Sequence, residues 1–314
     1  MSKYQNEKIL ELAKDSASWL NSAQSLEMLK KDPYWPKWDS PWWRMHLLME
    51  TGYSHLIPKD FAQDFLKQFE KHYIHFFPTK IEQVPVGCDP VMQIVCHCAL
   101  GSVIRMLTPV LQPDKPLLGW FSDWSQNYQI ADGGYNCDEA TYNCEKPVSS
   151  LISTLPMLEA MLLEVKLFGV SSHLPILQQG VEYYLARGLT GSSKDPKTPI
   201  LAAWDIPTFP RFYEFDGQRV LGFLIDYHLH FGLLLPKSVT EYAKRLHSQI
   251  YSQPIDQRPF RTIYLGEFSR VLDANGEFVS GSSNTFPMLD CFASPEVAWS
   301  FLEAEYLGLA ASPR

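Results

Sequence analysis

Apolar residues recur with a helical period along most of the chain. Over 5–31 the positions Ile9, Leu10, Ala13, Trp19 and Leu20 predict one interrupted helix or two short ones. The same pattern predicts helices over 41–50, 59–76, 90–108, 115–127, 147–168, 174–188, 217–234, 237–252 and 295–309. One stretch differs: Thr262 to Leu265 and Glu277 to Val279 flank the turn-forming Asp273-Ala274-Asn275-Gly276, which predicts a small β-hairpin near the C-terminus.

Several helix starts share a signature: Ser40-Pro41, Asp89-Pro90, Lys146-Pro147 and Ser294-Pro295. Proline suits the first helical position, where its missing N–H costs nothing, and a preceding Ser or Asp caps free amides. Asp216-Gly217 opens a further helix without the proline. The five helices so opened are apolar on most faces, whereas 59–76 and 237–252 are amphipathic and more charged. Buried helices alternating with half-exposed ones predict two concentric layers. The fold class expected is therefore all-α, an α/α toroid with inner and outer helix rings. No linker divides the chain, so 1–314 is expected to form one domain.

The inner helices of such a ring gather their N-terminal ends at one mouth, and the loops entering them are loaded with functional groups. Asp32 to Asp39, which includes Trp38, precedes Trp42, Trp43, Arg44 and His46. Val86-Gly87-Cys88-Asp89 precedes Cys96-His97-Cys98. Asp132-Gly133-Gly134-Tyr135-Asn136-Cys137-Asp138-Glu139 is followed by Tyr142, Asn143 and Cys144. Trp204 to Asp216 contains Arg211 and Tyr213, and Ser282 to Pro287 is followed by Asp290 and Cys291. Helix N-termini add partial positive charge at such a mouth, favouring carboxylates or an anionic ligand.

Composition narrows the function classes. With 46% apolar and 20% charged residues the chain has the make-up of a folded globular protein. A net charge of -8 argues against nucleic acid, because phosphate binding needs a surplus of Lys and Arg. No run reaches the ~18 apolar residues of a membrane-spanning helix, and the N-terminus lacks the apolar core of a signal peptide. A cytoplasmic protein with reduced thiols is expected; its six cysteines are scattered rather than framed for disulfides.

Gln129-Ile130-Ala131-Asp132-Gly133-Gly134-Tyr135 followed by an apolar helix resembles the Gln-to-Gly-Gly-aromatic repeat of terpenoid cyclases and protein prenyltransferases. In that family the loop reads Asp-Gly-Gly-Trp and the helix Thr-x-x-Ala-Leu-x-Ala-Leu. Here the helix reads Ser153-Thr154-Leu155-Pro156-Met157-Leu158-Glu159-Ala160-Met161. The likeness spans about 35 residues, and elsewhere only the alternation of helices agrees. The resemblance implies the toroid and an aromatic-lined central cavity. It brings neither the Asp-x-Asp-Asp tetrad of the protonating cyclases nor the Asp-Asp-x-x-Asp motif of the metal-ionised synthases. The zinc of protein prenyltransferases is held by Asp, Cys and His with Asp and Cys closely spaced, whereas Asp132 and Cys137 are five apart.

The leading expectation is an enzyme acting on an isoprenoid-like or other apolar or anionic small molecule by acid-assisted chemistry. Asp132 or Asp138 would be the acid, since burial in a dry aromatic pocket raises a carboxyl pKa. Glu139 and Cys137 are further catalytic candidates. Tyr135, Asn136, Trp38, Trp42, Arg44, Trp204, Arg211, Tyr213 and Asp216 are candidates for substrate binding. Arg211 would clamp an anionic group, or else pair with Asp216 or Asp205. Cys96, His97, Cys88 and Cys137 are candidate zinc ligands, and lanthionine cyclases, another toroid family, also bind zinc through adjacent Cys and His. Consecutive helical residues diverge by about 100°, so Cys96-His97-Cys98 cannot all face one ion from a helix; the other reading is buried core thiols. Two further functions stay open: a carbohydrate-active toroid, which would show exposed Trp in an open cleft, and a non-catalytic binding toroid with salt-bridged loop carboxylates.

Overall fold

The computed structural model describes residues 3–262, 269–272, 278–281 and 285–311. Its helices are α1 Lys3–Leu20, α2 Ala23–Lys31, α3 Pro41–Glu50, α4 Lys59–His72, α5 His97–Leu111, α6 Phe121–Tyr128, α7 Leu151–Phe168, α8 Leu174–Leu185, α9 Gly217–His230, α10 Lys237–Leu246, α11 Pro287–Asp290 and α12 Pro295–Ala311. The chain is mostly helical. No helix among the described residues is long and apolar enough to cross a membrane. Of the segment on which the hairpin is expected, the strands β1 Ser269–Leu272 and β2 Phe278–Gly281 are described, paired antiparallel. The turn between them lies outside the described residues.

The helix expected from 115 begins at Phe121, and two further helix starts differ from expectation for a local reason. Asp89-Pro90 opens only a turn, in which the Asp89 carboxylate accepts from the amides of Val91 (2.8 Å) and Met92 (3.2 Å). The helix begins seven residues after Pro90, at His97, behind the extended N-cap residue Cys96. Pro147 likewise stays in the loop, and Ser150, accepting from the Ser153 amide, caps α7 instead. A proline marks where a helix can begin, but the cap that closes the free amides decides where it does.

α5 and α7 pack closely along their length. A side chain at Gly101 would run into the Pro156 carbonyl, so glycine lets the two backbones approach. The remaining apolar helices follow in a regular neighbour order. α3 touches α5, α5 touches α7, α7 touches α9, and α9 touches α12. The short turn Cys291–Ala293 joins α12 to α11, and α1 contacts both α11 and α3, so the succession returns to its start. α4, α8 and α10 lie against α5, α7 and α9 respectively.

Candidate functional site

The Asp132–Glu139 loop is pinned at almost every residue. Gly133 adopts φ +99°, and a side chain there would strike the Gln179 carbonyl, so the turn requires glycine. Gln129 Nε2 donates to the carbonyls of Gly133 and Ile176, both at 2.9 Å. Tyr135 is fully buried, with its hydroxyl donating to Ser125 O (2.7 Å) and its amide to Thr154 Oγ1 (2.9 Å). Asp132 accepts from the Ser149 hydroxyl and forms an ion pair with Arg187 (2.9 Å). These four residues fasten the loop to α7 and α8.

Beyond Tyr135 the loop turns outward. Asn136 Nδ2 donates to Val148 O (2.9 Å), and the exposed Asp138 caps the turn Glu139–Asn143 through the Ala140 amide (3.0 Å). Glu139 is exposed. Neither expected general acid therefore lies in a dry aromatic pocket: Asp132 is spent on Arg187 and Ser149, and Asp138 faces solvent. The Cys137 amide donates to Ser153 Oγ (3.1 Å), which sets the thiol against α5.

There it meets two other thiols. The sulfurs of Cys96, Cys98 and Cys137 all lie within 4.8 Å of one another. Cys96 and Cys98 are 3.1 Å apart, Cys98 and Cys137 3.7 Å. Two thiolates on a tetrahedral zinc with bonds of about 2.3 Å sit about 3.8 Å apart, so the cluster is near the spacing of a metal site. Residues two apart cannot converge on one ion from inside a helix. They converge here because Cys96 is the extended N-cap (φ −81°, ψ 159°) and only Cys98 is helical. Hydrogen bonds from the Cys96 and Cys98 thiols hold Cys137 well below the ordinary thiol range. The same bond to Cys137 pushes Cys96 up to about 12.

Two expected ligands fall away. His97 is completely buried, and both ring nitrogens are committed: Trp124 Nε1 donates to Nδ1 (2.9 Å), while Nε2 lies 3.0 Å from the Tyr142 hydroxyl. With Nδ1 accepting, the hydrogen belongs on Nε2, and Tyr142 in turn donates to Tyr128 O (3.0 Å). Burial pushes His97 down to about 4, so it is a neutral strut for the Cys137 loop rather than a ligand. Cys88 stands outside the cluster, with a weak contact to Asp89 O. Cys98 takes the place that the sequence suggested for His97.

A pocket of about 220 Å³ borders the cluster on the Cys96 and Cys137 side, walled by Phe77, Ile81, Val84 and Ile94, with Lys80 and Glu139 also lining it. On the Cys98 side the aromatic residues close up. Trp38 packs on Trp43 (4.5 Å between ring centres) and Phe212 (5.3 Å), and Tyr34 on Trp43 (4.9 Å). The void left among Tyr34, Trp42, Trp43 and Tyr213 is about 10 Å³, room for a single water at most. Trp38, Trp42 and Trp204 are buried and offer no sugar-stacking face. Arg44 is sandwiched between the rings of Trp19 and Phe286 (3.8 and 4.4 Å) and pairs with Asp39. Tyr213 lies under Lys37, whose ammonium is 5.0 Å from the ring centre.

The larger central space is elsewhere and is charged, not aromatic. A cavity of about 380 Å³ opens between α3, α5, α7, α9 and α12, lined by Glu50, Arg105, Glu159, Arg211, Arg219 and Glu305 among others. Arg211 binds Asp216 (2.6 Å) and Glu305 (2.8 Å), while Asp216 also caps α9 through the Arg219 amide (2.8 Å). Arg219 grips Glu159 with two bonds of 3.1 and 2.7 Å. Sequence reasoning found Arg211 and Asp216 but missed Glu50, Arg105, Glu159, Arg219 and Glu305; Lys166 and Asp226, paired with each other at 2.8 Å, line the cavity as well. The available signal was Arg105, the lone charge in an otherwise apolar α5. On that helix Arg105 stands seven residues from Cys98, about 10 Å along the axis, so the two sites are distinct.

No family model, curated protein or solved structure matches this chain.

Proposed function

We propose that the protein is an α/α-toroid enzyme that uses a zinc ion on Cys96, Cys98 and Cys137 to activate a substrate thiol for alkylation. The observation that carries this reading is the convergence of three sulfurs within 4.8 Å, beside a pocket on one side. The cyclic neighbour order of α1, α3, α5, α7, α9 and α12 supports the toroid.

The chemistry follows from the donor set. Three thiolates are soft ligands that suit zinc, and three protein ligands leave a fourth position for an exogenous group. A zinc ion held by Cys96, Cys98 and Cys137 would lower the pKa of a substrate thiol and so favour its nucleophilic form for attack on an electrophilic carbon, the leaving group departing with its bonding pair as the S–C bond forms. Glu139, which lines the same pocket, would take the thiol proton, and the walls of Phe77, Ile81, Val84 and Ile94 suit an alkyl or prenyl group.

Cobalt(II) reports this geometry directly. Cobalt-loaded protein is expected to show the intense visible bands of a tetrahedral thiolate site, and these bands shift when 2-mercaptoethanol is added. Cys137→Ser should lose the wild-type spectrum. An octahedral spectrum, or a tetrahedral one indifferent to added thiol, would remove the open position and the mechanism with it.

A further inference from the structure

The central cavity has an unequal distribution of partners. Arg211 is shared between Asp216 and Glu305, and Arg219 between Glu159 and the carbonyls of Phe212 and Glu214. Glu50 accepts from the amides of Arg211 (2.7 Å) and Phe212, with His46 Nδ1 at 3.2 Å. Glu305 also receives Gln218 Nε2 (2.7 Å). Each of these carboxylates already has two or more donors. Arg105 has the reverse problem. Among the described residues its one ion-pair contact is Glu159 Oε2 at 2.8 Å, the same oxygen that Arg219 holds at 2.7 Å. A guanidinium carries five N–H donors, so most of those on Arg105, whose side chain is a quarter exposed, have no protein acceptor among the described residues.

The local field agrees with this count. Burial alone would raise the Glu50 and Glu159 carboxyls, but His46 and the arginines outweigh it and hold both below the ordinary range. Arg105 is lowered, chiefly by burial, against the pull of Glu159 and Glu50 and with smaller pushes from Arg219 and Arg211. Two guanidiniums, those of Arg105 and Arg219, thus share the single carboxylate of Glu159 at this wall of the cavity. Gly222 gives a second observation. It lies inside α9 on the cavity wall, and a side chain added there would make only ordinary contact with Leu309, at 3.6 Å. Packing does not demand glycine at this position, which a helix disfavours; its effect is to leave the chamber open.

We propose that this cavity is a binding site for a small molecule carrying a single carboxylate. Arg105 clamps the carboxylate, and Pro109, Leu162, Leu163 and Phe223 hold the apolar remainder. A volume of about 380 Å³ falls at the lower end of the range for ligand pockets. A dianion such as phosphate is disfavoured, because its second charge would face Glu50, Glu159 and Glu305. This site stands independently of the thiol cluster.

Isothermal titration of the full chain with sodium hexanoate, sodium butyrate and inorganic phosphate tests the assignment. Saturable binding of hexanoate, tighter than butyrate and absent for phosphate, is expected. Arg105→Met should weaken hexanoate by about tenfold or more, the worth of a charge-assisted pair. Gly222→Leu fills the chamber without touching the ion pairs, so it should abolish binding and covers the case in which Arg105→Met does not fold. No saturable binding to the wild type, phosphate preferred over the carboxylates, or wild-type affinity in either folded variant would overturn the proposal.

Discussion

The aromatic cluster around the start of α3 and the charged cavity between α3, α5, α7, α9 and α12 solve opposite problems. The first half of α3 and the loops around it fill space with rings: Tyr34, Trp42, Trp43 and Tyr213 leave a void of about 10 Å³. Between α3, α5, α7, α9 and α12 about 380 Å³ stays open, lined by ions. The aromatic end depends on burial, which needs only volume and shape. The charged end depends on mutual compensation, in which each ion is tolerable only while its partner is present. Hence the aromatic end tolerates a change of chemistry, whereas the charged end tolerates only changes made in pairs.

The sharpest way to break this contrast is Glu159→Ala. It strips the shared carboxylate from Arg105 and Arg219, and we expect a loss of about 3–5 kcal/mol in chemical denaturation. Adding Arg105→Met to the same chain should return part of that loss. A single variant within 1 kcal/mol of wild type would show that the array is not mutually compensated.

A smaller effect comes from pH. Glu50 and Glu159 have folded pKa values below their ordinary 4.5. For a depressed carboxylate the stabilisation is fully present above the unfolded value and is lost as pH falls through the folded one. The urea midpoint should therefore hold above about pH 5 and fall steeply below 4.5. Glu159→Gln should flatten that fall; an unchanged slope would assign the acid sensitivity to other groups.

At the loop end the expected effects are smaller still. Asp132→Asn keeps the shape but weakens the Arg187 pair, costing about 1 kcal/mol by thermal unfolding. Asp138→Ala removes an exposed cap and should cost about 0.5–1 kcal/mol. If either variant abolished turnover while keeping its stability and metal, the carboxylate would be catalytic after all.

Much of the helix set was legible, because apolar spacing in helices such as α3 and α9 reports burial directly. The starts of α5 and α7 were not, since Pro90 and Pro147 look like helix openings while Ser150 and the extended Cys96 set the actual ones. That displacement also hid the thiol cluster: with Cys96 placed inside a helix, Cys98 points away from it. Cys137 could be read as a site residue from its company in the loop. The charged cavity could not, because Glu50, Arg105, Glu159, Arg219 and Glu305 come from five separate helices. Apart from Arg105, the lone charge of α5, each alone reads as a surface charge, and only packing brings them together.

The central claim rests on metal, and zinc content of the untagged protein tests it most directly. The account predicts one zinc per chain, with the three cluster thiols protected from a thiol reagent until a chelator is added. It further predicts that Cys96→Ser, Cys98→Ser and Cys137→Ser each lower the zinc content while Cys88→Ser leaves it unchanged. Metal-free protein that takes up no added zinc, with its cysteines reacting alike before and after chelation, would contradict it.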